Sequence, residues 1–532
     1  ALDAGVDAYN VAIGYDAGTA ITTGVKNTLI GGLAGDTITT GEKNVAIGYL
    51  ALSNEDAHGF NVAIGVDALR DLDAGADAYN VAVGASAGAS TTSARYSVII
   101  GGLAGDAVTS GWSNVAIGYL ALTTEDTGSD AVAIGRSALQ NQNYDGSSYN
   151  IAIGRDAGKE VTSGIQNTII GGLAGDALTT GNYNIAIGHT ALSTEDTGHK
   201  SVAIGHQALL NQNYDGDASN VAVGHNVGAA ITTGTVNTLV GAFSGDALTI
   251  GNSNVAIGYN SLSAETQGDR NVAIGKDTLA SQNNTGGSVD TYNTAVGYGA
   301  GLSVTTGTAN TIMGGLAGDA LTTGYGNIAI GYNALSSEDT GGTNVAIGHA
   351  ALQVQDAGAN AYNIAIGYDT GKAVTTGTQN TIIGGDAGKA LTTGSNNTAI
   401  GYEALSVEDT GSRNTAIGWR ALKKLNYDGL GHNIGIGYEA GAESTTGRYN
   451  ILVGNFAGDA ITTGSENVAI GYAALSSEDG NGKNIAIGTN ALEDLNAGAD
   501  AYNVAIGHDA GRNVSTGVRN VIMGGLAADA LT

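Results

Sequence analysis

Apolar residues recur along this chain in short runs, each led by asparagine and closed by glycine. The first four are Asn10-Val11-Ala12-Ile13-Gly14, Asn27-Thr28-Leu29-Ile30-Gly31, Asn44-Val45-Ala46-Ile47-Gly48 and Asn61-Val62-Ala63-Ile64-Gly65. β-Branched residues with Asn and Gly at the ends predict a short strand followed by a turn, and no helical or heptad period competes. The starts advance in steps of 17 and the step to Asn80 is 19, so leading positions fall at 10, 80, 150 and 220, a spacing of 70. An insertion before Asn293 shifts the frame once, and 293, 363, 433 and 503 resume it. A fixed period of this kind predicts a repeat architecture, read here as one continuous array over residues 1–532. A period of this length suits one coil of an all-β solenoid, with two or three short strands and tight turns at about 3.3 Å per residue. Some thirty coils stacked at about 4.8 Å would extend on the order of 140 Å.

The residue after each strand is Gly in every copy from Gly14 to Gly524, and the leading Asn is replaced only at Ser97, Ala131 and Ser201. Gly permits a corner with φ > 0. Asn at one place per coil predicts a ladder of stacked amides. Asn10, Asn27, Asn44 and Asn61, with Gly14, Gly31, Gly48 and Gly65, are therefore expected to be structural. Val11 and Ile13 share one face of the strand and Ala12 takes the other. Both faces are apolar, which predicts burial on both. A thin coil has one inside, so the second face needs another chain. The expectation is a homotrimer with the Ala12, Ala46 and Ala63 column toward the axis.

Candidate chemistry is sparse. Gly31-Gly32-Leu33-Ala34-Gly35 recurs with no helix behind it and reads as a turn, not a phosphate loop. The pairs Glu55-Asp56, Glu125-Asp126, Glu195-Asp196, Glu338-Asp339, Glu408-Asp409 and Glu478-Asp479 read as a solvated acidic stripe in preference to a Ca²⁺ site. His189, His206, His225, His349 and His508 occupy the place just after the strand-closing Gly, which Tyr15, Tyr49, Tyr119, Trp419 and Tyr438 take elsewhere. That place reads as a slot for a flat, half-polar ring; a row stacking on sugars is the alternative. Neither a nucleophilic triad nor a zinc spacing nor a paired-carboxylate site has a unique instance, so no enzyme, no metal and no cofactor are expected. The 281–292 insertion alone breaks the repeat and offers one acid, Asp290. Receptor contact, if made here, is expected in the loops that vary, at Tyr144, Asp145, Tyr214, Asp215, Tyr427 and Asp428.

Composition narrows the field. There are 87 Gly, no Pro and no Cys, and the net charge is −29. Pro is excluded from central strands, so its absence suits an unbroken stack. The charge speaks against nucleic acid and anionic membrane surfaces. No apolar run reaches the roughly 18 residues of a membrane span. The first residues, Ala1-Leu2-Asp3-Ala4-Gly5, and the last, Ala528 to Thr532, read as repeat fragments, so an excerpt of a longer chain is expected.

The Asn-x-Ala-Ile-Gly core, as in Ser201-Val202-Ala203-Ile204-Gly205 and Asn397-Thr398-Ala399-Ile400-Gly401-Tyr402-Glu403-Ala404-Leu405, resembles the head repeats of YadA-like trimeric autotransporter adhesins and similar repeats of phage tail fibres. The resemblance implies a trimeric left-handed parallel β-roll on a cell or virion surface, extracellular, that attaches to a glycan or protein receptor. The coils are longer than the adhesin form. An ice-binding solenoid is a second reading, from Thr22-Thr23 and Thr39-Thr40, although Glu55-Asp56 interrupts that column. A polysaccharide-degrading spike is a third.

Overall fold

The computed structural model describes residues 7–287 and 289–531. The expected fragment at residues 1–5 and the final Thr532 lie outside them. The chain is a parallel β-solenoid of about 30 turns with coils of about 17 residues. Among the described residues there is no helix, and hence none long and apolar enough to cross a membrane. Two compact units are distinguished, Ala1–Asp269 with Thr285–Val289 and Arg270–Asn284 with Asp290–Thr532.

Each turn contributes one strand of three residues, such as Val45–Ile47 in the first unit and Ile328–Ile330 in the second. Among the described residues the expected second and third strands per coil are not formed, apart from the two-residue strands Gly268–Asp269 and Val289–Asp290. The rest of each coil runs in turns and bends. Neighbouring strands pair in parallel without slippage: Val45 faces Val62, Ala46 faces Ala63 and Ile47 faces Ile64. In the second unit Val272 faces Thr294, so the strand register is kept on either side of the insertion. The turns between strands bond to the next coil as well. Lys43 N–H donates to Val25 C=O at 3.0 Å and Leu52 N–H to Ala68 C=O at 3.0 Å.

Closing so tight a coil needs left-handed backbone. The Gly after each strand has φ near +135°, for example +139° at Gly188. Three further places per turn are left-handed whatever residue stands there: the one before the ladder Asn (Lys43, Tyr79, Val236), and the second and fourth after the strand Gly (Leu50 and Leu52). Such a conformation costs an ordinary residue about 1–2 kcal/mol. The hydrogen bonds to the adjoining turn offset that cost.

The middle strand residue is the interior one, which corrects the expected orientation. Ala46, Ala63, Ala82, Ala186 and Ala329 are all 0% exposed within the single chain. The flanking residues, Val45 and Ile47 among them, are half-exposed and point outward. The Ala column therefore cannot line an axis between chains. Beside Ala46, Ala63, Ala116 and Ala186 the left-handed Leu of the same turn folds in; Leu52, Leu69, Leu122 and Leu192 are all buried. Where the strand centre is large, as at Leu29, that Leu becomes Gly35, and a Cβ on Gly35 would lie 2.9 Å from Leu29 Cδ2. In the first coil of a block both places are small, as with Ala82 and Gly88, and a Cβ on Gly88 would meet Ile99 and Leu69 of the adjoining turns.

Candidate functional site

The leading Asn side chains are joined from turn to turn. Asn27 Oδ1 accepts the N–H of Asn44 at 2.9 Å, and its Nδ2 donates to Gly41 C=O at 2.8 Å. Asn10, Asn44 and Asn61 are joined to their successors in the same way. At the exceptions other groups step in. Ser97 Oγ accepts Asn114 N–H at 3.3 Å. Ala131 offers no acceptor, and Asn150 N–H turns to Ser148 Oγ at 3.5 Å. Replacing Asn184 by Leu removes the acceptor for Ser201 N–H and the donor to Gly198 C=O. The expected loss is about 1–3 kcal/mol of stability. Chemical denaturation reads it, and a midpoint equal to that of the unchanged chain would assign the ladder no stabilising role.

The acidic pairs divide in a way the sequence reading missed. The Glu of each pair is interior, 0% exposed at Glu55, Glu125, Glu195, Glu338, Glu408 and Glu478. Glu125 Oε1 accepts Gly128 N–H at 2.7 Å, and Oε2 accepts Gln142 Nε2–H at 3.0 Å and Tyr144 N–H at 3.4 Å. Gln142 Oε1 in turn accepts from Asn150 Nδ2 at 2.8 Å, so the network reaches the ladder. Glu195 with Gly198 and Gln212 repeats it. The Glu is thus a clamp that fixes the loop of the following turn, not part of a solvated stripe. Its signature in the sequence is Glu-x-x-Gly with a Gln one coil further on. Burial pushes these carboxyls above the ordinary range, and the donors act against it.

A second acidic column follows the Gly-Gly-Leu-Ala-Gly turn. Asp36, Asp176, Asp246, Asp319 and Asp459 each keep a buried carboxylate oxygen without a hydrogen-bond partner. Burial raises all five, Asp459 to about 6. A carboxyl raised in the folded chain holds its proton more tightly there than when unfolded. Its contribution is fully present below the unfolded value, about 4, and is lost as pH rises through the folded value. Relief of repulsion in a chain of net charge −29 acts in the same direction. The melting temperature is therefore expected to rise as pH falls from 7 to about 4.5, and Asp459→Asn to reduce that rise. Calorimetry across that range checks it; a melting temperature falling with acidification would refute it.

The six expected contact residues sit in three loops held alike. Thr127 Oγ1 donates to Asp145 Oδ1 at 2.6 Å, Thr197 to Asp215 at 2.8 Å and Thr410 to Asp428 at 2.7 Å. The N–H groups of Tyr144, Tyr214 and Tyr427 are taken by Glu125, Glu195 and Glu408. Each loop is thus tied at both ends to the preceding turn, leaving the tyrosine rings half-buried or exposed beside an anchored aspartate. Asp196, Asn213, Tyr214, Asp215 and Thr233 line an open depression of about 540 Å³. A second, of about 520 Å³, is lined by Tyr119, Arg136, Asp156, Lys159, Glu160 and Asp176 among others.

The rings after the strand Gly stack on one another along the coil. His189, His206 and His225 have centroids 5.6 and 5.1 Å apart, and Trp419 lies 4.7 Å from Tyr438. Where the next position is Gly, as at Gly32, the ring of Tyr49 lies over it. In these rows ring faces pack on one another between turns, as the slot reading expects. A further aromatic column, not anticipated, precedes the ladder Asn: Phe60, Tyr79 and Tyr96, with centroids 4.7 and 6.0 Å apart. Asp290 pairs with Arg270 and accepts from Tyr292 Oη at 2.9 Å, so its carboxylate is already engaged. The Thr hydroxyls are engaged too: Thr22 Oγ1 donates to Thr39 C=O at 3.2 Å and Thr39 Oγ1 to Asp56 C=O at 3.1 Å. Comparison with known families gives no matching model, and comparison with curated proteins gives no match.

Proposed function

We propose that this chain is a structural segment of an extracellular attachment fibre, projecting from a cell or virion surface. In this reading it assembles as a homotrimer of left-handed β-rolls, each a single array built on the four-coil super-repeat that separates Asn10 from Asn80. It is not an enzyme and takes no nucleic acid, and its receptor is a surface glycan or protein touched by the Tyr144, Tyr214 and Tyr427 loops. The observation that carries the reading is the outward Val/Ile face. Ile151 and Ile153 are 38% and 37% exposed, and most turns of both units offer two such aliphatic positions. The stacked turns of either unit carry half-exposed aliphatic residues at each level. An apolar row that repeats once per coil is matched along its length by a partner of the same rhythm, which is another copy of this chain. The Asn-x-Ala-Ile-Gly resemblance to adhesin heads and tail fibres supports attachment as the purpose.

Sedimentation tests the assembly. The unchanged chain is expected to sediment as a trimer at micromolar concentration. A chain with Ile153→Lys, Ile187→Lys and Ile204→Lys is expected to sediment as a monomer with an unaltered circular dichroism spectrum. A monomeric unchanged chain would overturn the reading.

A further inference from the structure

One turn departs from its counterparts at three places at once. Where Glu125 is served by Gly128 and Gln142, with Asn143 next in the chain, the residues at the corresponding places around Glu55 are His58, Leu72 and Asp73. The side-chain donor to Oε2 is thereby lost, and the Ala74 backbone N–H that faces Glu55 makes no hydrogen bond of ordinary geometry to that oxygen, although the side chain is 0% exposed. His58 Nδ1, also buried and without a hydrogen-bond partner, lies 3.4 Å from Glu55 Oε1. Ligand atoms of Glu55, Asp56, His58 and Asp73 all lie within 4.8 Å of one another. A buried carboxylate oxygen with nothing to accept from is costly, and so are three acids this close. A cation between them would remove both costs.

We propose that Glu55, Asp56, His58 and Asp73 bind one divalent transition-metal ion of the Zn²⁺ or Mn²⁺ class. The donor set decides the class. Three carboxylates and an imidazole suit Zn²⁺ at about 2.0–2.2 Å, whereas Ca²⁺ takes six to eight oxygens. Two other turns sharpen the argument. Glu338, Asp339 and Asp356 also cluster within 4.8 Å, but there Glu338 Oε2 accepts from Gln355 at 3.0 Å and Gly341 stands where His58 does. Glu478 has an unpartnered Oε2 as well, but Asn481 and Asn496 replace the His and the second Asp. The orphaned oxygen and the full donor set coincide at Glu55. The proposal is independent of the fibre reading.

Calorimetric titration of the chelator-treated full chain with ZnCl₂ and MnCl₂, with CaCl₂ in comparison, tests it. One tight event per chain is expected for Zn²⁺ or Mn²⁺, above the weak binding that any strongly acidic chain shows. His58→Gly and Asp73→Asn are each expected to weaken it at least about tenfold and together to abolish it, while Asp356→Asn leaves it in place. Both introduced residues already stand at the corresponding places Gly128 and Asn143, so the fold is kept. A tight event that survives in the double variant, weak binding alone in the unchanged chain, or equal affinity for CaCl₂ would each overturn the assignment.

Discussion

Ala186→Arg is expected to prevent the surrounding turns from folding, whereas Ile187→Arg, one residue along, leaves them folded. Ala186 is 0% exposed and faces Ala203 and Ile169 in the adjoining turns. An arginine there has no room for its side chain and no acceptor for its charge. Unpaired burial of an ion costs several kcal/mol even after relaxation. We expect at least about 5 kcal/mol, beyond what single substitutions commonly cost. Ile187 points outward, where an arginine reaches water. Soluble yield and circular dichroism of the two variants decide between the orientations. If Ile187→Arg were the unfolding one, the assignment of inside and outside would be reversed.

Gly188→Ala should be the next most damaging change. The residue has φ +139°, and a Cβ there would lie 2.2 Å from Gly205 C=O oxygen and 2.5 Å from its carbon. Backbone, not a flexible side-chain end, is what it meets. Strain alone accounts for about 1–3 kcal/mol, and separating two stacked turns adds to it. Because each turn touches only its neighbours, the damage should stay local. Hydrogen exchange is expected to accelerate at residues 185–205 and to remain slow in distant turns. Gly172→Ala is the control. It lacks a positive φ, and its Cβ would sit at an ordinary 3.7 Å from His189 Cδ2. Equal exchange in both variants would show that the crowded corner does not matter.

The repeat period, the strand, the corner Gly and the Asn ladder were legible because each rests on a residue type that recurs almost without fail. Which face of the strand lies inside was not, because Val-Ala-Ile is apolar on both sides. The clue lay outside the strand, in the exchange of Leu52 beside Ala46 for Gly35 beside Leu29. The buried Glu125 was hidden by its neighbour Asp126, since two adjacent acids suggest solvent. Only the pairing with Gly128 and Gln142 marks it as a clamp. The left-handed places before the ladder Asn leave no trace, for Lys43, Tyr79 and Val236 share no property that favours them.

The bonds between turns run along the stacking direction, and this decides how the coil answers a pull. Tension along that direction loads the contacts in series, so the outermost turn opens first and the rest keep their structure. Each turn released converts a rise of about 4.8 Å into about 55 Å of extended chain. A solenoid of this build yields by releasing slack one coil at a time, as a line runs from a reel, and does not snap at a single threshold.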